Sequence, residues 1–345
     1  MSNMSLHPDA RHVLVTGGAG FIGTHLLGTL LEAGDRVTVV DNLSTGRRDN
    51  LAAFPETRVR FIQASVTDGL PALRHERFDA IYHLAAAVGV RLVIEQPVRT
   101  IRTNVLETTA VLDFAAAQDV PTFIASTSEV YGKSNRLPFR EDDDVIYGPT
   151  IYSRWSYACS KAIDEYLALA YHRERNLPVR IVRFFNTVGP GQVGNYGMVL
   201  PRFVQAALRD EPLLVHGDGE QSRCFCDVRD VVEVLPRLMA ETGTAGRIFN
   251  LGNDQPISIR ALAERVKATL DSRSEIRLIP YDTAFGEHFD DLRHRQPDLS
   301  RIRDAVGFQP RIPLTQTIRD LAARLSTGGD PPVATTGADR ARPGA

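Results

Sequence analysis

His12-Val13-Leu14-Val15-Thr16-Gly17-Gly18-Ala19-Gly20-Phe21-Ile22-Gly23 is the stretch from which the fold follows. Largely apolar, β-favouring residues run into glycines spaced three apart, and His25-Leu26-Leu27-Gly28-Thr29-Leu30-Leu31 then repeats its apolar residues at helical period. The layout is strand, tight turn and helix start, which aims backbone N–H groups and a positive helix end at a pyrophosphate. Gly17 allows the turn, Gly20 lets the backbone approach phosphates, and Gly23 lets helix and strand pack closely. Arg36-Val37-Thr38-Val39-Val40-Asp41 reads as the next strand and ends in a carboxylate. An acid there bonds the adenosine ribose hydroxyls and repels a 2′-phosphate, so the expected cofactor is NAD rather than NADP.

Working outward, Asn42 to Arg48 is a polar loop suited to wrap adenosine, and Val59 to Gln63 reads as a third strand, followed by Ala64-Ser65-Val66. A fourth strand, Phe78 to Ala87, ends in small residues that let a cofactor lie across the sheet. A helix is expected from about Pro97 to Gln118, a strand at Thr122–Ser126, a helix near Ser156–Arg173 and a strand from Val179 to Asn186. This alternation over about 185 residues is the doubly wound α/β pattern. Beyond it, short strands at Leu213–His216 and Arg223–Val228 and turns at Gly189–Gly191 and Gly194–Gly197 suggest a smaller lobe, with Gly246–Leu251 returning to the main sheet. The expected organisation is a flexible start (1–10), an NAD-binding Rossmann domain with a parallel sheet (11–185, with return segments near 226–255), a smaller mixed α/β substrate lobe (186–225 and 256–325), and a disordered tail (326–345).

The 345 residues, 43% hydrophobic and 24% charged, can bury a sizeable core. A net charge of −2 without a Lys/Arg tract argues against nucleic acid and membrane surfaces as partners. Met1 to Arg11 has no apolar core, and no apolar run approaches the roughly 20 residues of a membrane span. Three cysteines are an odd number and fit a reducing cytoplasm. Cys224-Phe225-Cys226 has one intervening residue and no nearby histidine, so it reads as two core thiols, and no metal is expected.

Together, Thr16 to Gly23, Asp41-Asn42, His83-Leu84-Ala85-Ala86, Asn104, Ser126-Thr127-Ser128, Tyr157-x-x-x-Lys161 and Arg295-Gln296-Pro297-Asp298 resemble the extended short-chain dehydrogenase/reductases that epimerise, dehydrate or decarboxylate nucleotide sugars. The resemblance runs from Arg11 to about Leu325. It implies a cofactor site at Gly17, Gly20, Phe21, Ile22, Gly23, Asp41, Asn42, Ser65, Val66, Leu84, Ala85, Ala86, Asn104, Tyr157 and Lys161. Ser65 stands where the family usually has an aspartate against adenine. Four residues apart, Tyr157 and Lys161 share a helix face, and an ammonium beside a phenol is expected to lower its pKa toward neutrality, making a base for a sugar hydroxyl. The resemblance also implies that Lys161 bonds the nicotinamide ribose and that Thr127 holds the sugar C4 hydroxyl.

Glu129 divides the subfamilies. Simple 4-epimerases typically lack an acid there, and 4,6-dehydratases typically carry Thr-Asp-Glu, whereas this chain reads Thr127-Ser128-Glu129. Ser128 is too weakly acidic to help expel hydroxide. The turn looks like that of the UDP-glucuronate decarboxylases, in which oxidation at C4 makes the C6 carboxylate a β-keto acid that loses CO₂. Glu129 would then manage protons at C5, and the products would be UDP-xylose and, if the ketone escapes, UDP-4-keto-xylose. The plainer alternative for Glu129 is a carboxylate that pairs with a neighbouring arginine. A UDP-sugar 4-epimerase is the first rival reading and a 4,6-dehydratase the second. Arg154 matches an arginine that sugar-acid decarboxylases carry before the tyrosine, and Arg295 one near the substrate or its diphosphate. Asn186 is expected on the sugar or phosphate, and Val215 and Arg223 in the uridine and diphosphate loop. The loop Val88–Val93 lacks the tyrosine that decarboxylases usually offer. By family analogy the protein is a homodimer through the helices at 97–118 and 156–173.

Overall fold

The computed structural model describes residues 10–194, 198–280 and 292–327. The expected flexible start up to residue 9, the middle of the Gly194–Gly197 turn and the tail beyond 327 lie outside the described residues.

Seven parallel strands form the central sheet in the order β3-β2-β1-β4-β5-β6-β11. They are β1 His12–Thr16, β2 Arg36–Asp41, β3 Val59–Gln63, β4 Ala80–His83, β5 Thr122–Thr127, β6 Val179–Phe184 and β11 Arg247–Leu251. Their near-continuous apolar runs follow from helices covering both faces. Alternate residues of β1 serve opposite faces. Val13 and Val15 pack with Leu26 and Leu30 of α1 (Phe21–Glu32) and Val231, Leu235 and Leu238 of α7 (Val228–Ala240). Leu14 faces the other way, with Ile81 and Ile124, onto Val111 and Leu112 of α4 (Pro97–Gln118) and Ala168 of α5 (Arg154–Arg175). The chain completes β3 at one edge and re-enters the sheet at β4, on the far side of β1. That reversal opens a crevice at the carboxyl ends of β1 and β4, where such sheets bind ligands.

A separate apolar cluster joins Leu200 and Phe203 of α6 (Val199–Ala207), Leu213 and Val215 of β8 (Leu213–His216), Leu262 and Val266 of α8 (Ile259–Thr269), and Ile318 and Leu321 of the helix Leu314–Ser326. Leu299, Ile302 and Phe308, around the helix Ser300–Val306, pack instead into the cluster under α1 and α7.

Two elements differ from the sequence expectation. The strand expected at Arg223–Val228 is two: β9 (Ser222–Cys224) runs antiparallel to Pro256–Ser258, and β10 (Cys226–Asp227) runs parallel to Thr187–Val188. The chain changes partners at Phe225, whose ring enters the α6–α8 cluster while Cys226 enters the main core. The fourth strand stops at His83, and Leu84 onward is irregular and borders the crevice. Gly246 to Leu251 does return to the main sheet, with Ile248 opposite Ile181 of β6.

Candidate active site

A cleft of about 1070 Å³ runs over the carboxyl ends of the strands. At one end the backbone bends through Gly17, at a φ of +74°, where a Cβ would lie 2.7 Å from the Ala85 nitrogen. A Cβ at Gly23 would lie 2.3 Å from the Gly17 carbonyl oxygen, so α1 and its entry turn can approach only as glycines. No side chain caps α1, and Gly20, Phe21 and Ile22 at its start border the cleft, an arrangement that suits a pyrophosphate. Asp41 sits beside them. Its Oδ2 accepts from Ala19 N at 3.0 Å and its Oδ1 from Leu43 N at 2.8 Å, and burial still pushes the carboxyl above its usual range. Each oxygen keeps a lone pair for a ribose hydroxyl.

Asn42, Ser65, Val66, Leu84, Ala85 and Ala86 border the same cleft. Ser65 also has a structural task, capping the one-turn helix Val66–Gly69 by accepting from Asp68 N. Sequence reasoning passed over Asn50, which joins this wall and donates to the Ala19 carbonyl at 2.8 Å. The residue lies beyond the motif, and no spacing rule points to it.

At the other end lie Thr127, Ser128, Glu129, Tyr157, Lys161, Asn186 and Arg295. β5 ends at Thr127, whose hydroxyl accepts from Glu129 N at 3.3 Å and so starts the tight turn Ser128–Tyr131. The turn is backed by Tyr131, stacked on Phe139 at 4.5 Å and donating to Asn250 at 2.7 Å. Glu129 therefore leaves a rigid corner. Arg154, at the start of α5, donates to its Oε2, and Arg295 reaches its Oε1 at 3.5 Å. Burial alone would raise the Glu129 carboxyl, but Arg154 and Arg295, with Arg223 farther off, hold it at about 2. The carboxylate does pair with a neighbouring arginine, as the plainer reading had it, and with two of them: Arg295 at the cleft wall and Arg154 behind it.

Four expectations need correction. Tyr157 is not drawn toward neutrality. Burial pushes its phenol well above the usual value, Glu129 and Asp164 add to this, and Arg154 opposes it. The Lys161 ammonium is engaged elsewhere, donating to Asp164 Oδ2 at 2.7 Å. Asn104 does not border the cleft: its Oδ1 accepts from Ala87 N at 2.8 Å and its Nδ2 donates to Ser160 Oγ at 3.0 Å, which ties the loop after β4 to α5. Val215 is fully buried in the α6–α8 cluster, so its side chain cannot meet a uridine. Arg223 also lies off the cleft wall, bonded to the Ser222 and Arg293 carbonyls, and Asn186 donates to the Cys224 carbonyl at 3.4 Å. Asp164 was missed in the sequence, although an acid three residues after a helical lysine is a readable ion-pair signal.

Residues 13–252 match the NAD dependent epimerase/dehydratase family. The chain belongs to this family. NAD is its cofactor, and the glycine turn, bare helix start and Asp41 fit that molecule. Over 314 residues the chain is 38% identical to UDP-N-acetyl-alpha-D-glucosaminuronate decarboxylase of Bacillus cytotoxicus, covering 90% of this chain and 96% of that one. It is 39% identical to UDP-glucuronic acid decarboxylase 4 of Arabidopsis thaliana, covering 91% and 68%. The fold matches UDP-glucose 4-epimerase of Thermus thermophilus, solved in complex with NAD, at a TM-score of 0.79 and 27% identity, covering 91% and 99%. Among the described residues no three His, Cys, Asp or Glu side chains cluster as metal ligands, and no helix is long and apolar enough to cross a membrane.

Proposed function

We propose that this epimerase/dehydratase-family member decarboxylates UDP-glucuronate through a 4-keto intermediate, giving UDP-xylose and, where the ketone leaves before reduction, UDP-4-keto-xylose. The observation that carries this reading is Glu129, on the cleft wall with Tyr157 and Arg295, held ionised by Arg295 and by the buried Arg154 behind it. A guanidinium at the cleft and a second one behind Glu129 suit a sugar acid, because a substrate carboxylate can share Arg295 with the Glu129 carboxylate while Arg154 keeps Glu129 in place. A neutral hexose brings nothing to that pair. Both decarboxylases described above act, by their names, on uronic acids of UDP-sugars.

In this reading Tyr157 must first give its own proton to cleft water, and the phenolate then takes the C4 hydroxyl proton while Thr127 holds the oxygen. NAD, when bound, supplies the acceptor for the C4 hydride and returns that hydride to the ketone. The C6 carboxylate, now β to the ketone, leaves as CO₂, and the electron pair of the C5–C6 bond passes into the ketone oxygen as an enolate. Glu129, held ionised by its arginines, orients a water of the cleft that gives its proton to C5. It cannot serve as a standing acid for hydroxide loss, and Ser128 beside it cannot either, which disfavours 4,6-dehydration.

The cofactor contacts proposed are Gly17, Gly20, Phe21, Ile22, Gly23, Asp41, Asn42, Ser65, Val66, Leu84, Ala85, Ala86, Tyr157 and Lys161, with Arg154, Asn186 and Arg295 serving the nucleotide sugar. We also propose a cytoplasmic homodimer. Ile101 on α4 and Ile163 and Tyr166 on α5 expose apolar surface on adjoining helices, and three thiols without a disulfide suit a reducing compartment.

The test is to incubate the protein with UDP-glucuronate and NAD and weigh the nucleotide products. Loss of CO₂ alone is expected for UDP-xylose, and loss of CO₂ together with two hydrogens, left behind as reduced nicotinamide and a proton, for released UDP-4-keto-xylose. An unchanged mass with a new chromatographic peak means 4-epimerisation, and loss of water means dehydration. Turnover of the 2-acetamido sugar acid, with UDP-glucuronate untouched, would move the substrate and keep the chemistry.

A further inference from the structure

The reactive pair has a third member that lies off the cleft wall. Lys161 and Asp164 stand three apart on α5 and face the same side, with Nζ 2.7 Å from Oδ2. The two side chains are 2% and 0% exposed. Other groups around them are already committed. From β4, His83 is fixed between the Thr16 hydroxyl at 2.7 Å and the Thr108 hydroxyl at 3.1 Å, and burial and the Lys161 charge hold it neutral, down at about 3. Glu165, next on α5, forks onto Arg183 at 2.9 and 2.7 Å. Glu129, from the turn after β5, is held by Arg154 and Arg295. The Asp164 carboxyl is raised by burial and by Glu165, and Lys161 and the Thr108 hydroxyl of α4 oppose the rise. Facing Tyr157 are Glu129 and Asp164 on the negative side and Arg154 on the positive side.

A buried ammonium with a carboxylate at 2.7 Å acts on its surroundings as a dipole, whose field falls off faster than that of a lone charge. We propose that Asp164 is a positioning residue for the Tyr157–Lys161 pair: it fixes the Lys161 ammonium and sets how much of that positive charge reaches Tyr157. The proposal rests on the reading of Tyr157 as the base. Lys161 borders the cleft, so cleft water can solvate the ammonium when the carboxylate is taken away. The charge then acts on Tyr157 undiminished.

The experiment compares the protein with Asp164→Asn, each loaded with NAD. Tyr157 ionisation is read as the phenolate ultraviolet difference between each protein and its own Tyr157→Phe counterpart. The midpoint is expected to fall by about one pH unit in Asp164→Asn, a tenfold rise in phenolate at a given pH. The acid limb of nicotinamide reduction by the sugar nucleotide moves with it. An unchanged or raised midpoint in folded protein overturns the proposal and leaves Asp164 as a stability pair. Should Asp164→Asn fail to fold, Asp164→Ser, which leaves room for water beside the ammonium, is read in the same way. The spectrum needs no sugar, so failure of UDP-glucuronate to release CO₂ would sink the decarboxylase reading and leave this result standing.

Discussion

Two glutamates of this molecule meet arginine in opposite manners. Glu165 takes Arg183 as a fork, accepts a further bond from Ser126 Oγ at 2.5 Å, and lies off the cleft wall. Arg183 is saturated as well: its third nitrogen meets the Glu141 carbonyl at 3.2 Å and its plane lies 4.7 Å from the Tyr131 ring. The pair bolts β5, β6 and α5 together behind the Ser128–Tyr131 turn. Glu129 takes its two arginines from distant parts of the chain, one oxygen each, and borders open space. The difference teaches that the charge types do not separate a structural pair from a reactive one. What separates them is whether the cleft reaches the carboxylate.

The largest effect should come from removing the reactive member. Glu129→Ala is expected to cut CO₂ release by about 10³-fold while NAD binding persists, because it removes proton handling and leaves the glycine turn intact. Tyr157→Phe is expected to stop nicotinamide reduction altogether, with a loss of similar size. Product mass and the absorbance of reduced nicotinamide check the two. Full activity in Glu129→Ala would erase the contrast with Glu165.

Arg183→Ala should show the reverse behaviour. It leaves Glu165 buried without its fork, which costs about 3–5 kcal/mol of stability, read from denaturant unfolding. Turnover per folded molecule should change little. If instead turnover collapses while the unfolding midpoint holds, the bolt is part of the reaction and the division drawn here is wrong.

Much of this was legible in the sequence, for a local reason. The glycine turn, Asp41, the Tyr157/Lys161 face and the helix Pro97–Gln118 are set by spacing within one or two elements, and the family match carries the same reading to NAD. Glu129 is legible from the Thr127-Ser128-Glu129 turn, and the structure puts it on the cleft wall. Its partners were less visible, because residues 129, 154 and 295 meet only through the folded sheet. The direction of the Tyr157 shift is not legible in the Tyr157/Lys161 spacing, because burial, Glu129 and Asp164, which raise it, come together only in the fold. Val215 looked like a loop residue by motif, yet β8 alternates, and its position faces the core. Asn104 carried a motif signal that the structure turns into a tie between two backbone segments.

The finest test of the contrast concerns acid. Glu129 is held at about 2 against an ordinary carboxylate near 4.3, so its folded pKa is depressed. Such a group stabilises the fold fully above the unfolded value, and that stabilisation drains away as pH falls toward 2. Arg154→Gln removes one of the arginines that hold the carboxyl down and should let it rise toward the ordinary range. The variant should then be less stable than the parent by about 1.5 kcal/mol near neutrality, the worth of a hydrogen bond to a charged group. That gap should close on acidification, because once Glu129 is protonated in both proteins the guanidinium has no charge left to hold. Denaturant midpoints measured from neutral pH downward read the gap directly. A gap that stays constant across the range would mean that Arg154 stabilises by packing alone, and that Glu129, like Glu165, owes its place to the fold rather than to the cleft.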